Sequence, residues 1–132
     1  RPVKILSRKP KIRYFNYLFI KKNQQFLIQQ RDANDIWKKL YELPLIESKE
    51  KLNREKLITH QYFRPFKISN IKNNYTVEHN LSHQKLKISF WDVDAKNINT
   101  KKGIEKITLD NISNYPFAKP LEKYFQTQHL IT

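Results

Sequence analysis

The sequence predicts an α+β domain, a mixed β-sheet packed with two helices, and three observations carry that expectation. Tyr75, Val77, His79 and Leu81 fall at every second position, as do Leu86, Ile88 and Phe90, and a period of two marks strands. Phe117, Leu121, Tyr124 and Phe125 instead follow i, i+4, i+7, i+8 spacing, which lines one face of a helix. With 132 residues, 39% apolar content and many aromatics (Tyr 7, Phe 8, Trp 2), the chain can bury the core of a single domain despite its high charge.

Residues 1–13 place Arg1, Lys4, Arg8, Lys9, Lys11 and Arg13 beside Pro2 and Pro10, and the first acid is Asp32. Proline and charge without periodicity read as a basic interdomain linker ahead of a folded domain over 14–132, either a solvated arm or one that tracks phosphates. Tyr14–Lys21 and Phe26–Gln30 are aromatic and β-branched enough for two strands, joined by a tight turn at Lys22-Asn23-Gln24. Asp32–Lys39 breaks the pattern, Tyr41–Leu43 suits a short strand, and Pro44 closes it. Dense charge over Glu47–Gln61, with Glu50 and Arg54 at i,i+4 and a partial stripe of Leu52, Leu57 and Ile58, predicts the first helix. Pro65 ends that unit, Phe66–Ile71 follows as a strand, and the hairpin around Ser82 comes next. The polar run Asp94–Gly103 holds the single glycine and reads as a loop. Ile104–Leu109 is a last strand. The final helix tolerates Pro120 in its first turn and packs an aromatic face on the sheet.

Formal net charge is +14, from 26 Lys and Arg against 12 Asp and Glu, an imbalance that points to a polyanionic partner or an anionic membrane surface. Charge and segment layout together favour nucleic acid, without separating DNA from RNA. The absence of Cys excludes disulfides, thiolate zinc sites, iron–sulfur clusters and cysteine nucleophiles within this sequence. No apolar run approaches the roughly 18 residues of a spanning helix and no signal peptide opens the sequence, so a soluble cytoplasmic monomer without a membrane partner is expected. With no Met at position 1, the chain is expected to be a piece of a longer protein.

Leu81-Ser82-His83 at the hairpin turn offers a hydroxyl and an imidazole beside an apolar side chain, a combination suited to phosphates and base edges. Lys85, just past the turn, and Lys38 and Lys39, beside Trp37, are candidate phosphate contacts, while Trp37 and His79 read as packing residues. Ser82 beside His83 lacks the orienting carboxylate and strained elbow of a nucleophile–base pair, so no catalytic residue is assigned. His60, His79, His83 and His129 show no i,i+4 pairing with a carboxylate partner, so no metal ligand is assigned either.

Arg54-Glu55 resembles the start of the arginine–glutamate helix of Nudix-type pyrophosphohydrolases, which bind Mg²⁺ through clustered helix carboxylates. Ile58 and Thr59 occupy the later carboxylate positions, and Leu45 and Ile46 follow Pro44 where that family carries glycines. Both departures count against metal-dependent hydrolysis.

Two further motifs converge on one family. Ile36-Trp37-Lys38-Lys39-Leu40-Tyr41-Glu42-Leu43-Pro44 resembles the tryptophan segment, closing in Glu-apolar-Pro, of the C-terminal domain of A/G-specific adenine DNA glycosylases, the MutY family. His79-x-Leu81-Ser82-His83-x-x-Leu86 is similar to that family's His-x-Phe-Ser-His-x-x-Leu loop. The spacing between the motifs and the closing aromatic helix also agree, so the resemblance extends from the basic connector through residue 126.

The resemblance implies a Nudix-like fold that has lost hydrolysis and reads 8-oxoguanine opposite adenine in base excision repair. It implies that Ser82 meets the Hoogsteen edge of the oxidised base, where N7 has changed from acceptor to donor and a hydroxyl can both donate and accept. Leu81, standing where the family carries Phe, would be an apolar wedge between base steps, and His83 would support the loop or a nearby phosphate. The implied partners are double-stranded DNA containing 8-oxoguanine opposite adenine and the protein's own N-terminal glycosylase domain. In this family that domain extrudes adenine, supplies the catalytic groups and holds an iron–sulfur cluster; no cofactor is expected in this chain. Two other readings stay open: a divergent Nudix hydrolase of nucleoside diphosphate derivatives, and a sequence-independent nucleic-acid-binding module.

Overall fold

The computed structural model describes residues 9–132. In chain order the elements are β1 (Lys11–Lys22), β2 (Gln25–Gln30), β3 (Tyr41–Glu42), β4 (Leu45–Ser48), α1 (Arg54–Ile58), β5 (Ile68–Asn80), β6 (Gln84–Ala95), β7 (Ile104–Thr108) and α2 (Lys119–Thr127), with 3-10 turns at Gln61–Phe63 and Leu109–Asn114. The strands form one mixed sheet with a helix against each face, the α+β architecture that the patterning predicts.

β1 is the organising strand. It pairs parallel with β6 from Lys11↔Gln84 to Lys21↔Asp94, and antiparallel on its other edge with β4 above and β2 below. Phe15 to Ile20 are buried without alternation, because this stretch is covered on both faces. Its polar member, Asn16, donates to the Ile46 carbonyl at 3.0 Å and accepts from Trp91 Nε1 at 3.2 Å. Phe15, Tyr17 and Phe19 face the larger core with Leu86, Ile88, Phe90 and the α2 residues Leu121, Tyr124 and Phe125. Leu18 and Ile20 face the smaller one with Trp91, Val93 and Leu57 of α1. Phe90 and Tyr124 stack at 4.1 Å with planes 5° apart; burying one such apolar side chain contributes about 1.5–3 kcal/mol.

The structure departs from the sequence reading at several places. Lys11–Arg13 belong to β1, so the strand begins inside the expected linker, whose residues 1–8 lie outside the described residues. The helix expected over Glu47–Gln61 contracts to Arg54–Ile58, capped by Asn53 Oδ1 accepting from the Lys56 N–H at 2.8 Å. The backbone of Leu45–Ser48 is taken up by the β1 ladder instead. Phe66–Ile71 and the strand entering the hairpin are not two strands: Ile68–Asn80 is continuous, with register shifts between Ile68 and Asn70 and between Asn73 and Tyr75. Each shift moves the side-chain alternation to the other face, which hides the continuity from any periodicity. Asp94 and Ala95, expected in a loop, close β6.

Candidate nucleic-acid interface

The link from β5 to β6 is a three-residue turn, Leu81-Ser82-His83. Leu81 donates its N–H to the Gln84 carbonyl at 2.8 Å and Gln84 returns a bond to the Leu81 carbonyl at 3.4 Å, leaving Ser82 and His83 exposed. Leu81 is half-buried and packs against the larger core, so it anchors the base of the turn. The His83 carbonyl accepts the Lys11 N–H at 3.0 Å, which fastens the start of β1 to the tip. Lys9, Pro10 and Lys11 thereby join Asn80–Lys85 around a cleft of about 610 Å³. Lys85 has a distant carboxylate neighbour, Glu78, at 3.9 Å.

The segment before β3 comes to the same end of the sheet. The Trp37 ring lies 5.5 Å from that of His79 and 6.2 Å from Phe15, edge-on to the latter. This placement puts Trp37 at φ 58° and Lys39 at φ 72°, a left-handed conformation that costs a residue with a β-carbon roughly 1–2 kcal/mol. Arg31 holds the segment in that shape. Only 5% exposed, it donates through Nε to the Ile36 carbonyl at 2.9 Å and through Nη2 to Asp35 at 2.8 Å, and its backbone bonds Leu40 and Lys39. Beneath it, Glu42 accepts from the Tyr17 hydroxyl and from Gln29, each at 2.9 Å, with Arg31 Nη1 3.4 Å away. Burial raises the Glu42 pKa against the opposing pull of these donors; burial and then the Glu42 charge push that of Tyr17 well above its ordinary value.

Arg13 joins the two segments. Its Nε and Nη2 donate to the two Glu47 carboxylate oxygens at 2.7 and 2.8 Å, Nη2 also reaches Asp35 at 2.9 Å, and Nη1 donates to Gln84 Oε1 at 2.9 Å. The bond to Glu47 outweighs burial and raises the guanidinium pKa further. Burial pushes the Asp35 carboxyl up, but Arg13 and Arg31 together hold it below its ordinary value.

Of the residues expected at the site, Leu81, Ser82, His83 and Lys85 line the one cleft. Lys38 and Lys39 do not. Both are exposed on the Trp37 segment: Lys38 Nζ hydrogen-bonds Asn34 Oδ1 at 3.3 Å, and Lys39 borders a different cleft with Arg31, Asp32 and Glu105. Lys9, Lys11 and Arg13 were hidden by their reading as linker. The alternation of Lys11, Ile12, Arg13 and Tyr14 extends β1 back to Lys11 but does not encode the register that brings it to the hairpin.

A Nudix-type metal would need clustered carboxylates on α1, whose one acid is Glu55. Among the described residues no three His, Asp or Glu side chains gather to hold an ion, so the donor set does not fit that metal. No helix among the described residues is long and apolar enough to cross a membrane.

A family model described as NUDIX domain matches residues 16–127. Among solved structures, the C-terminal domain of mouse MUTYH, in complex with human PCNA, aligns with a TM-score of 0.69 at 15% identity, covering 89% of this chain and 87% of that one. The MutT protein of Methanosarcina mazei Go1 aligns at 0.62 and 14% identity, covering 92% and 95%. The NUDIX domain of Shewanella oneidensis NrtR, complexed with ADP ribose, aligns at 0.61 and 16% identity, covering 99% and 94%. At these identities the likeness is one of fold. No curated protein sequence matches the chain.

Proposed function

The chain belongs to the NUDIX domain family, and within it we propose a lesion-reading, DNA-binding domain of an adenine DNA glycosylase rather than a nucleotide hydrolase. The observation that carries this reading is the meeting of the two motifs. Trp37 lies against His79 at 5.5 Å and Arg13 ties Asp35 to Gln84, so exposed Ser82 and His83 stand on a braced base rimmed by Lys9, Lys11 and Lys85.

In this reading the partner is a duplex containing 8-oxoguanine opposite adenine. The Ser82 hydroxyl accepts the N7 proton that the oxidised base has gained. His83 donates to a phosphate, and the lysines around the cleft neutralise neighbouring ones. Leu81 reaches between base steps only by leaving its packing on the core. Adenine excision falls to the separate glycosylase domain. The likeness to the mouse MUTYH domain supports this assignment, as does the poor fit of α1 to a catalytic metal.

Titrating the chain with 8-oxoG:A and G:C duplexes over a range of salt tests it, beside an assay with Mg²⁺ and 8-oxo-dGTP. The expected result is tighter binding of the lesion duplex at each salt and no pyrophosphate release. Equal affinities reduce the chain to a sequence-independent module; release makes it a hydrolase.

A further inference from the structure

Past the hairpin cleft, β1 and β6 share a face whose outer end is exposed at Ile12. Lys85, Lys87, Ser89 and Trp91 of β6 lie in register with Ile12, Tyr14, Asn16 and Leu18 of β1, and alternation puts these side chains on one face. At one end of that face Leu18 and Trp91 are buried with Leu57 of α1. At the other, Ile12 is 48% exposed, the one exposed large hydrophobic among the described residues, and Lys87 Nζ sits 5.8 Å from the Tyr14 ring. Beside α1, Lys51, Arg54 and Lys56 border a second cleft of about 450 Å³ that has Trp91 in its wall and no carboxylate in its lining. Arg54 is held there by its Nε donating to the Ile71 carbonyl at 2.8 Å. Against these cations stand Glu78, spread between Lys85 and Lys87 at 3.9 and 4.0 Å, and Glu50, 3.6 Å from Lys56.

We infer that this strip is a track for the sugar–phosphate backbone of duplex DNA, running from the hairpin tip past Ile12 and Lys87 to the cleft beside α1. The inference rests on the reading of the hairpin as a DNA probe. From Lys85 to Trp91 the strand advances about 20 Å at roughly 3.3 Å per residue, the rise of about six nucleotides along one strand at 3.4 Å each. Cations at both ends with Lys87 between them match a repeating anion of that length. A single phosphate would occupy only one cleft. The uncovered Tyr14 and Ile12 offer apolar contact to sugars between the charged positions.

The test compares an 8-oxoG:A duplex of about 8 base pairs with one of about 24, binding the unaltered chain, the Lys51→Gln/Lys56→Gln variant, and a control with the off-track exposed residues Lys22→Gln/Lys106→Gln. Each phosphate contact contributes about 0.9 to the slope of log K against log[salt]. The track variant should therefore lose about 1.8 of slope on the long duplex, seen as a roughly tenfold smaller loss of affinity between about 50 and 200 mM salt. Its slope on the short duplex and its preference for the lesion should not change, and the control pair should behave as the unaltered chain. An unchanged slope on the long duplex, or an equal drop in the control, overturns the track. The two readings separate cleanly. A slope drop without lesion preference in the unaltered chain keeps the track and removes the lesion reader; preference with an unchanged slope does the reverse.

Discussion

The indole of Trp37 lies 5.5 Å from the imidazole of His79 at a tilt of 58°, and through this contact the irregular segment before β3 braces the strand that enters the hairpin. Trp37→Ala removes that contact together with the edge-on packing on Phe15. Because the ring is half-buried, the expected cost is about 2–3 kcal/mol, at or just below the range for buried aromatic truncations. Urea denaturation measures it. Trp37→Phe should recover part of the loss.

Arg13→Lys keeps the charge and discards the geometry. An ammonium cannot reproduce the fork that spans Glu47, Asp35 and Gln84. The expected outcome is a loss of about 1–3 kcal/mol of stability and a weaker preference for 8-oxoG:A over G:C. The salt slope of binding should stay the same. A slope that changes with preference intact would place Arg13 on phosphate instead of in the support of the turn.

Two carboxylates in this network give opposite pH dependences. Asp35 is held below its ordinary 3.8, so its contribution is present above that value and is lost as pH falls through the folded pKa. Glu42 is raised above 4.5 by burial, so its contribution is full below 4.5 and is lost as pH rises through the folded pKa. Asp35→Asn should flatten the acid limb of a stability profile taken from about pH 2 to 7, and Glu42→Gln the rise in cost above 4.5.

The buried hydroxyl of Tyr62 has no hydrogen-bond partner among the described residues, and burial raises its pKa to about 12. Tyr62→Phe removes an unsatisfied polar atom, so stability at neutral pH should hold or rise by up to about 1 kcal/mol. A phenol raised on folding contributes stability below its unfolded value of 10, lost as pH climbs toward 12. The variant should lose less between those two values in thermal melts.

Ser82→Ala and His83→Ala touch exposed residues and should change stability by less than about 0.5 kcal/mol. On the proposed reading, both should lower the preference for 8-oxoG:A over G:A when the domain is tested within a full-length adenine glycosylase. Unchanged discrimination in the double variant would sink the role given to this turn. Lys38→Ala, on the separate Trp37 segment, should lower affinity evenly across duplexes.

What could be read from the sequence follows from the range of each signal. The hairpin and α2 were legible because their apolar periods are local and uninterrupted, and β2 because its short apolar run follows a tight turn. β4 was not, because i,i+4 charge pairs such as Glu50 and Arg54 arise readily in so charged a chain and imitate a helix surface. The length of β5 was hidden by its two register shifts. At the site, the Ser82-His83 turn showed where two alternations meet. Lys9 and Lys11, the other wall of its cleft, did not, since they arrive through the parallel register of β1 on β6, which no local pattern encodes.

That register also orders assembly. β5 and β6 are joined by three residues, whereas Arg13 finds Gln84 across 71 positions of chain, and closure over such a distance follows local pairing in time. The turn is therefore built early and braced last. A partly assembled chain displays Ser82 and His83 on an unsupported ribbon, and the shape proposed to meet DNA arises only when β1 has docked, so on that proposal competence to bind reports the completion of folding.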